Sequence, residues 1–265
     1  MAQIIVFTSG KGGVGKSTLV ANIGTSIALH KRSVVVIDMD IGLRNLDMII
    51  GLERRVKSNI VDLTKGLSSL EEALVYDKRT HNYLALIAAS QSDLKKDVNL
   101  FKFHQVLTDL ETMFDYIIID SPAGIEEGFN KSIFFAKKAI VVVNPEISSI
   151  RDADRVLALL ENHRIKKDIF LIINRYRKEL SRRSYYITAP DIINLLNVPC
   201  LGVISEDERV LRQNNSGVPF VYQSSFTVTN DIKLIAEKLI DKKKSIQEKA
   251  PASKSIWEKM KNNAS

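Results

Sequence analysis

Cysteine is almost missing from this chain, because Cys200 is the only one among its 265 residues. A single thiol excludes a disulfide within the chain and is typical of proteins from reducing compartments. It also excludes an iron–sulfur cluster held on paired cysteines, unless two subunits each contribute one thiol. No apolar run approaches the ~20 residues that span a bilayer, and no basic-then-apolar leader precedes the first apolar run. We therefore expect neither a transmembrane helix nor a targeting peptide.

Internal repeats, low-complexity blocks and linkers are absent from most of the sequence, and composition shifts only near its end. We predict one domain over residues 1–240 and a basic tail over residues 241–265. The tail holds seven lysines and three acidic residues, a net charge of +4, which leaves +3 of the total of +7 for the body (7 − 4). This distribution predicts that the tail meets an anionic surface, and it is poor support for DNA binding by the body.

The stretch from Gly10 to Ser17 matches G-x-x-x-x-G-K-[ST], the phosphate-binding loop. A short apolar run at residues 4–7 predicts a buried strand before it, and apolar residues at helical spacing follow it. Such a strand, loop and helix point successive backbone N–H groups at one polyphosphate. Lys16 would place its charge on the β- and γ-phosphates, and the Ser17 hydroxyl would bind Mg²⁺. The predicted nucleotide contacts in the loop are Gly10, Lys11, Gly12, Gly13, Val14, Gly15, Lys16, Ser17 and Thr18.

Runs of valine and isoleucine alternate with helical patterns along the body. We predict strands at residues 4–7, 33–37, 83–88, 116–120, 139–143, 169–173 and 200–204. After the first helix, we predict further helices at residues 101–113, 148–162, 190–196 and 230–243. Unbroken apolar strands of this kind indicate an α/β fold: a single P-loop NTPase domain with a mostly parallel sheet and helices on both faces.

Acidic residues follow two of the predicted strands, at the carboxyl ends where such a sheet binds ligands. Asp120 has the Walker-B arrangement of an acid after a hydrophobic strand, so we expect it near Mg²⁺. Asp40 would position the attacking water, because an aspartate with a pKa of about 3.9 is a weak base and the transition state is loose. Asp38 would lie nearer the Mg²⁺; the alternative is that it caps the strand end.

The run KGGVGKST at residues 11–18 resembles the deviant Walker A motif of the MinD/ParA family. The resemblance continues in DMDIGLRNLDMIIGLE (38–53), IIIDSPAGIEEGF (117–129), VNPEISSIRDADRV (143–156), LIINR (171–175) and ISEDERVLRQNNSGVP (204–219), and so covers nearly the whole body. DIGLRNLDMIIGLE and PEISSIRDADR are more specific than the loop, and they favour the septum-placing branch of the family over the plasmid-partition ATPases. Ser205 stands where the family usually has proline.

This resemblance implies an ATP-bound homodimer in which Lys11 reaches the partner's phosphates and Asn45 touches the nucleotide region. It also implies that Asn174 hydrogen-bonds the purine, with Asp207 nearby. Partner proteins, a MinC-like division inhibitor and a MinE-like activator, would dock on a segment that contains Glu146, Ser148, Asp152 and Asp154. The alternative is an ordinary helix start, with Ser148 as N-cap and the acids in the first turn.

The tail contains a capping box from Ser255 to Glu258, which predicts a short helix from Ile256. Ile256, Trp257 and Met260 would share one face flanked by lysines. The resemblance implies a short amphipathic helix that binds anionic lipid, and these three side chains would be its membrane contacts. A solvated, disordered tail is the alternative.

These observations predict a membrane-associated ATPase that dimerises with ATP, regulates placement of the division septum and uses ATP and Mg²⁺. Lys11, Lys16 and Asp40 would carry the catalysis. We expect a peripheral location on the cytoplasmic face of a bacterial inner membrane, or on the stromal face of the inner envelope if the source is a plastid. The alternatives are a ParA-like partition ATPase acting on DNA, a small-molecule enzyme on the same fold, and a scaffold that binds ATP without hydrolysing it.

Overall fold

In the computed structural model, which describes residues 2–163, 165, 168–183 and 185–241, the valine and isoleucine runs form one sheet of eight strands. The strands are β1 (Gln3–Thr8), β2 (Val34–Asp38), β3 (Val75–Asp77), β4 (Leu84–Ile87), β5 (Tyr116–Asp120), β6 (Lys138–Val143), β7 (Ile169–Tyr176) and β8 (Cys200–Ser205). Their order across the sheet is β3-β4-β2-β5-β1-β6-β7-β8. All neighbours are parallel except β3 and β4, which pair antiparallel at one edge.

Ten α-helices lie within the same described residues. They are α1 (Lys16–Leu29), α2 (Leu46–Ile50), α3 (Ile60–Lys65), α4 (Leu70–Ala73), α5 (Leu100–Met113), α6 (Glu127–Ile133), α7 (Ile147–Asn162), α8 (Ala189–Leu196), α9 (Arg209–Asn215) and α10 (Thr227–Ile240). No helix in this described part of the chain has both the length and the apolarity needed to cross a membrane.

Helices cover both faces of the sheet, because the inner strands are apolar at every position and must be buried on both sides. In β1, Ile4 and Val6 pack with one cluster, which α3, α5, α6, α7 and α8 cover. Ile5 and Phe7 of the same strand pack with the other cluster, which α1, α2 and α10 cover. The predicted fold class is therefore confirmed.

The strand register brings the predicted site together at one edge of the sheet. Phe7 in β1 lies opposite Asp120 in β5, and Asp38 in β2 also pairs with Asp120. The phosphate loop begins at Gly10, two residues after the end of β1, so it starts at the same edge of the sheet as both acidic strand ends. Parallel pairing alone explains why residues far apart in the sequence meet here.

The structure adds elements that the periodicity did not predict: the edge strand β3 and the short helices α2, α3, α4, α6 and α9. Each is too short to show a repeating apolar pattern. The predicted helices are present, although α10 begins at Thr227 and ends at Ile240, where the pattern predicted residues 230–243. Residues 242–265 lie outside the described residues, and with them the predicted membrane contacts Ile256, Trp257 and Met260.

Candidate nucleotide site

The phosphate loop joins β1 to α1 and lines a cavity of about 1060 Å³. Gly13 has φ +78° and Gly15 has φ +93°, backbone conformations that favour glycine. At Gly15 a Cβ atom would also lie 2.5 Å from Nδ2 of Asn174, so a side chain would strain the turn and clash. Gly15 is the N-cap of α1, and backbone N–H groups at this helix start are available to an anion.

Lys16 forms a buried ion pair with Asp120 across the start of this cavity. Its Nζ lies 2.5 Å from Oδ1 of Asp120, and the two side chains are 6% and 1% exposed. Oδ2 of Asp120 is buried and has no hydrogen-bond partner among the described residues. A phosphate that attracts Lys16 would therefore have to displace this ion pair, which would leave both Asp120 oxygens for another ligand.

The residues predicted to hold Mg²⁺ fit that ion in part. The unpartnered oxygen of Asp120 is the kind of hard ligand that Mg²⁺ prefers. Ser17, whose hydroxyl oxygen is a ligand of the same kind, lines the phosphate cavity. No group of three or more His, Cys, Asp or Glu side chains that could hold a metal ion occurs among the residues that the structure describes. Such a site would depend on nucleotide phosphates for its remaining ligands, as Mg²⁺ sites commonly do.

Asp38 is buried at the end of β2 and holds the following loop. Oδ1 accepts a hydrogen bond from the backbone N–H of Asp40 (2.9 Å), and Oδ2 accepts one from Leu46 (3.2 Å). Burial, with the Asp120 charge adding to it, raises the pKa of Asp38 from its ordinary value to about 7. These contacts support the strand-end cap, and the role of Asp38 near Mg²⁺ stays a prediction.

Asp40 and Asn45 both lie in the wall of the phosphate cavity, and their roles stay predictions. Asn45 is the N-cap of α2, although its side chain makes no capping hydrogen bond. Asp40 stands two residues beyond the end of β2, so the loop that Asp38 fixes also positions Asp40. The structure thus brings Asp40 to the place where phosphates would bind.

A second cavity, of about 460 Å³, holds the residues predicted to bind the purine. Asn174 and Asp207 both line it. Nδ2 of Asn174 donates a hydrogen bond to the carbonyl oxygen of Val14 (2.7 Å), which fixes the side chain against the phosphate loop. Asp207 pairs with Arg209 (2.6 Å), and the hydrogen bonds from Arg209 lower the pKa of Asp207. The contact of Asn174 with a purine remains a prediction.

The Lys11 side chain contacts the start of α7, and Lys11 is not among the residues that line the cavity beside Lys16. Its Nζ lies 3.1 Å from Oε2 of Glu146 and 3.3 Å from Oγ of Ser148. The side chains of Lys11 and Glu146 are 44% and 55% exposed, so their ion pair contributes little to stability. The second lysine of the loop is therefore held at the surface by the segment predicted to bind partners.

The structure corrects the alternative interpretation of that segment. Glu146, and not Ser148, is the N-cap of α7, and the first turn contains no acidic residue. Ser148 lies inside the helix, and its neighbour Ser149 accepts the backbone N–H of Asn144 (3.1 Å). Asp152 is partly buried and lies 3.4 Å from Arg155, whereas Asp154 is exposed. Neither aspartate caps α7 or lies in its first turn.

Other walls of the phosphate cavity come from residues for which the sequence predicted no role. Arg79, Asn214 and Gly217 line it, and Arg175 lines both cavities. Arg79 is an ion partner of Asp77 and donates a hydrogen bond to the carbonyl oxygen of Gly217 (3.3 Å). These residues come from the β3–β4 connection, from β7, from α9 and from the loop after α9. No local sequence pattern predicts that they meet.

A parallel sheet, a glycine-rich loop between β1 and α1, and an acid at the end of β5 together define a P-loop nucleoside triphosphatase. The chain belongs to the CobQ/CobB/MinD/ParA nucleotide-binding domain family, whose model matches residues 5–220. It is a P-loop ATPase of that family.

Similar proteins extend over most of the chain. It is 44% identical over 228 residues to the septum site-determining protein MinD of Synechocystis sp., a match that covers 86% of this chain and 85% of that protein. The MinC:MinD cell division protein complex of Aquifex aeolicus contains a chain with a TM-score of 0.83 and 41% identity, covering 96% of this chain and 100% of that one. MinD of Pyrococcus horikoshii, solved with Mg-ADP, has a TM-score of 0.80 and 28% identity, with coverage of 90% and 96%.

Proposed function

We propose that this chain is an ATP-dependent, dimerising ATPase that regulates placement of the division septum and uses ATP and Mg²⁺. The observation that carries the proposal is Lys11, a second lysine of the phosphate loop that stands at the surface in a weak ion pair. The 44% identity to a septum site-determining protein supports the cellular role. The structure of a relative with Mg-ADP supports the choice of ligands.

Exposed apolar side chains around the phosphate cavity support a homodimer. Leu43 and Met48 line the cavity and are 63% and 48% exposed. Ile125, in the loop after β5, is 47% exposed, and Ile147, the first residue of α7, is 45% exposed. Large apolar side chains exposed in the wall of a cavity, such as Leu43 and Met48, mark a surface that a partner covers. A second copy seated there would bring its own Lys11 close to the phosphates bound by the first.

In this proposal, each residue of the site has one task in hydrolysis. Lys16 leaves Asp120 and neutralises the phosphates, while Asp40 positions the attacking water in a loose transition state. Asp120 and Ser17 would hold Mg²⁺, which supplies further charge neutralisation when bound. The partner's Lys11 adds positive charge from the open side of the cavity, so hydrolysis depends on dimerisation.

Size-exclusion chromatography with light scattering, with ATP or ADP, tests the dimer. We expect ATP to shift the wild-type chain to twice its monomer mass and ADP to leave it monomeric. Lys11→Ala should bind ATP and stay monomeric, whereas Lys16→Ala should lose ATP binding itself. Lys137→Ala, which removes another exposed lysine from an ion pair with Glu111, is the matched control and should dimerise. Equal loss of ATP affinity in the Lys11 and Lys16 variants would contradict the proposal.

Docking of partners on the start of α7 is a further part of the proposal, with a MinC-like inhibitor recruited there and a MinE-like activator stimulating hydrolysis. The structure of a MinC:MinD complex from Aquifex aeolicus supports the first of these. Glu146, Ser148, Asp152 and Asp154 would form the contact. Asp152→Ala and Asp154→Ala should keep basal ATPase activity and lose stimulation, while the control Asp109→Ala on α5 should keep both. Loss of basal activity in the α7 variants would instead make these acids structural.

The tail would anchor the ATP-bound dimer peripherally on anionic lipid, at the inner membrane of a bacterium or the inner envelope of a plastid. Each lysine near such a surface contributes ~1 kcal/mol, and two tails on one dimer bind far better than one. In sedimentation with anionic liposomes, binding should rise with ATP, weaken with salt and be lost in Trp257→Glu. Equal binding with ADP and ATP, or unchanged binding without residues 251–265, would end this part of the proposal.

One observation favours the alternative, a partition ATPase acting on DNA. Five exposed basic residues lie in a short segment after the core of β7: Arg175, Arg177, Lys178, Arg182 and Arg183. Arg177 is an ion partner of Glu206. Duplex DNA added to the liposome assay distinguishes the two functions. We expect no ATP-dependent DNA binding, and DNA that removes the chain from the liposomes would favour partition.

A further inference from the structure

The two cavities of the site meet at a junction whose role in nucleotide binding no predicted site residue accounts for. The phosphate cavity and the purine cavity share four lining residues: Gly15, Thr18, Arg175 and Asn214. The first two belong to the phosphate loop and the start of α1, and Asn214 comes from α9. A nucleotide with its phosphates in one cavity and its base in the other must place its ribose at this junction.

The side chain of Asn214 is held in position by a hydrogen bond at one end of its amide, while the other end has no partner among the described residues. Its Nδ2 donates a hydrogen bond to the Thr18 hydroxyl (2.8 Å), and its Oδ1 is buried without any hydrogen-bond partner among the described residues. A hydroxyl both donates and accepts, so either orientation of the amide can satisfy Thr18 and leave the opposite end unpartnered. A buried polar atom without a partner is unfavourable, so each such atom in a folded protein needs an explanation.

The opposite side of the junction is built by an irregularity in β7. Arg175 has φ +55°, unusual for a residue with a side chain, and the pairing of β7 with β8 shifts between Ile173 and Tyr176. Such irregularities redirect a side chain out of the regular alternation of a strand. Arg175 therefore lines both cavities, directly after Asn174, whose amide is fixed on Val14.

We propose that Asn214 is a specificity-determining residue that hydrogen-bonds a ribose hydroxyl, so that the site distinguishes ribonucleotides from deoxyribonucleotides. The unpartnered amide end and its place between the two cavities are the observations that carry this inference. A deoxyribose would leave the amide end unsatisfied, whereas a ribose would satisfy it. The inference rests on nucleotide binding in the proposed function, and it is independent of septum placement and of dimerisation.

Calorimetric titration of the full chain with Mg-ADP, Mg-2′-deoxy-ADP and Mg-3′-deoxy-ADP tests the inference without turnover. The loss of one hydrogen bond lowers the affinity roughly tenfold. We therefore expect the wild type to bind one of the two deoxy nucleotides, the one that lacks the contacted hydroxyl, about tenfold more weakly than ADP. Asn214→Ala should bring that ratio close to one, chiefly by weakening ADP. Gln213→Ala, on the same helix but lining neither cavity, is the matched control and should keep the wild-type ratio.

Two results would overturn the inference: a wild-type chain that binds ADP and both deoxy nucleotides equally, or an Asn214→Ala variant that keeps the discrimination. The first result needs no variant, so the inference is testable even if Asn214→Ala fails to fold. A wild-type chain that binds none of the three nucleotides would overturn the proposed function as well. Failure of the inference alone is thus distinguishable from failure of both.

Discussion

Removal of the Lys16 ammonium is expected to destabilise the folded chain as well as to abolish nucleotide binding. Its Nζ lies 2.5 Å from Oδ1 of Asp120, and the two side chains are only 6% and 1% exposed. Because Oδ2 of Asp120 has no partner among the described residues, Lys16→Ala leaves a buried carboxylate with neither a countercharge nor a side-chain donor in that part of the chain. Loss of one partner from a buried pair costs about 3–5 kcal/mol, so we expect the free energy of unfolding to fall by this amount at neutral pH.

A double-mutant cycle separates this loss of stability from the loss of binding. Asp120→Asn replaces the carboxylate by a neutral group of similar shape, so Lys16→Ala combined with Asp120→Asn should regain most of the stability. The coupling energy should be roughly 2–3 kcal/mol. The double variant should still bind no nucleotide, because the charge that attracts the phosphates is missing. Urea denaturation followed by circular dichroism, with ADP calorimetry on the same samples, measures both quantities.

An exposed pair provides the comparison for this cycle. Lys137 and Glu111 form an ion pair whose side chains are 47% and 18% exposed, so Lys137→Ala should lower the free energy of unfolding by less than about 1 kcal/mol. If Lys16→Ala is no more destabilising than Lys137→Ala, the buried pair does not stabilise the empty site. A phosphate would then need to displace Lys16 from a weak contact only.

Three further outcomes test neighbouring parts of the site. Asp40→Ala should bind ATP normally and hydrolyse it about 10²-fold more slowly, because a misplaced water is the only loss; wild-type turnover would assign that role elsewhere. Gly10→Ala should lower the free energy of unfolding by about 1–3 kcal/mol, since its Cβ would lie 2.3 Å from the carbonyl group of Asp152. Gly12→Ala should leave this free energy unchanged, because a Cβ there meets nothing within 4 Å among the described residues. The raised pKa of Asp38, about 7, means that its contribution to stability is complete below its ordinary value of 3.8 and is lost as the pH rises to 7. Asp38→Asn should therefore remove part of the fall in unfolding free energy over that range, and an unchanged pH profile would contradict the raised value.

The sequence was informative wherever one local pattern was sufficient. The phosphate loop follows from residue spacing, and the fold class follows from apolar runs that only a sheet covered on both faces explains. Because strands of such a sheet are parallel, the positions of Asp38 and Asp120 at strand ends also predicted that they meet, and they pair directly in the register. Periodicity thus predicted the frame of the site.

The walls of the site were beyond prediction for a physical reason. Arg79 and Asn214 reach the phosphate cavity from the β3–β4 connection and from α9, elements too short to show a repeating pattern. Their positions depend on tertiary contacts, such as the approach of Gly51 to Gly217, where an added Cβ on Gly51 would lie 2.1 Å from the Gly217 carbonyl oxygen. The start of α7 was misplaced for a related reason, because Glu146 caps the helix without a side-chain hydrogen bond.

Two contacts join the phosphate loop to α7, and they differ sharply in strength. Gly10 packs on the backbone of Asp152 with no room for a side chain, because an added Cβ would lie 2.3 Å from the Asp152 carbonyl group. Lys11, the next residue, holds Glu146 only through an exposed ion pair that contributes at most about 1 kcal/mol. The loop backbone therefore packs closely against the helix at Gly10, whereas the Lys11 side chain is held only by an exposed ion pair. A loop that binds its own nucleotide while presenting a lysine to a second surface requires this combination of a fixed backbone and a side chain that detaches easily.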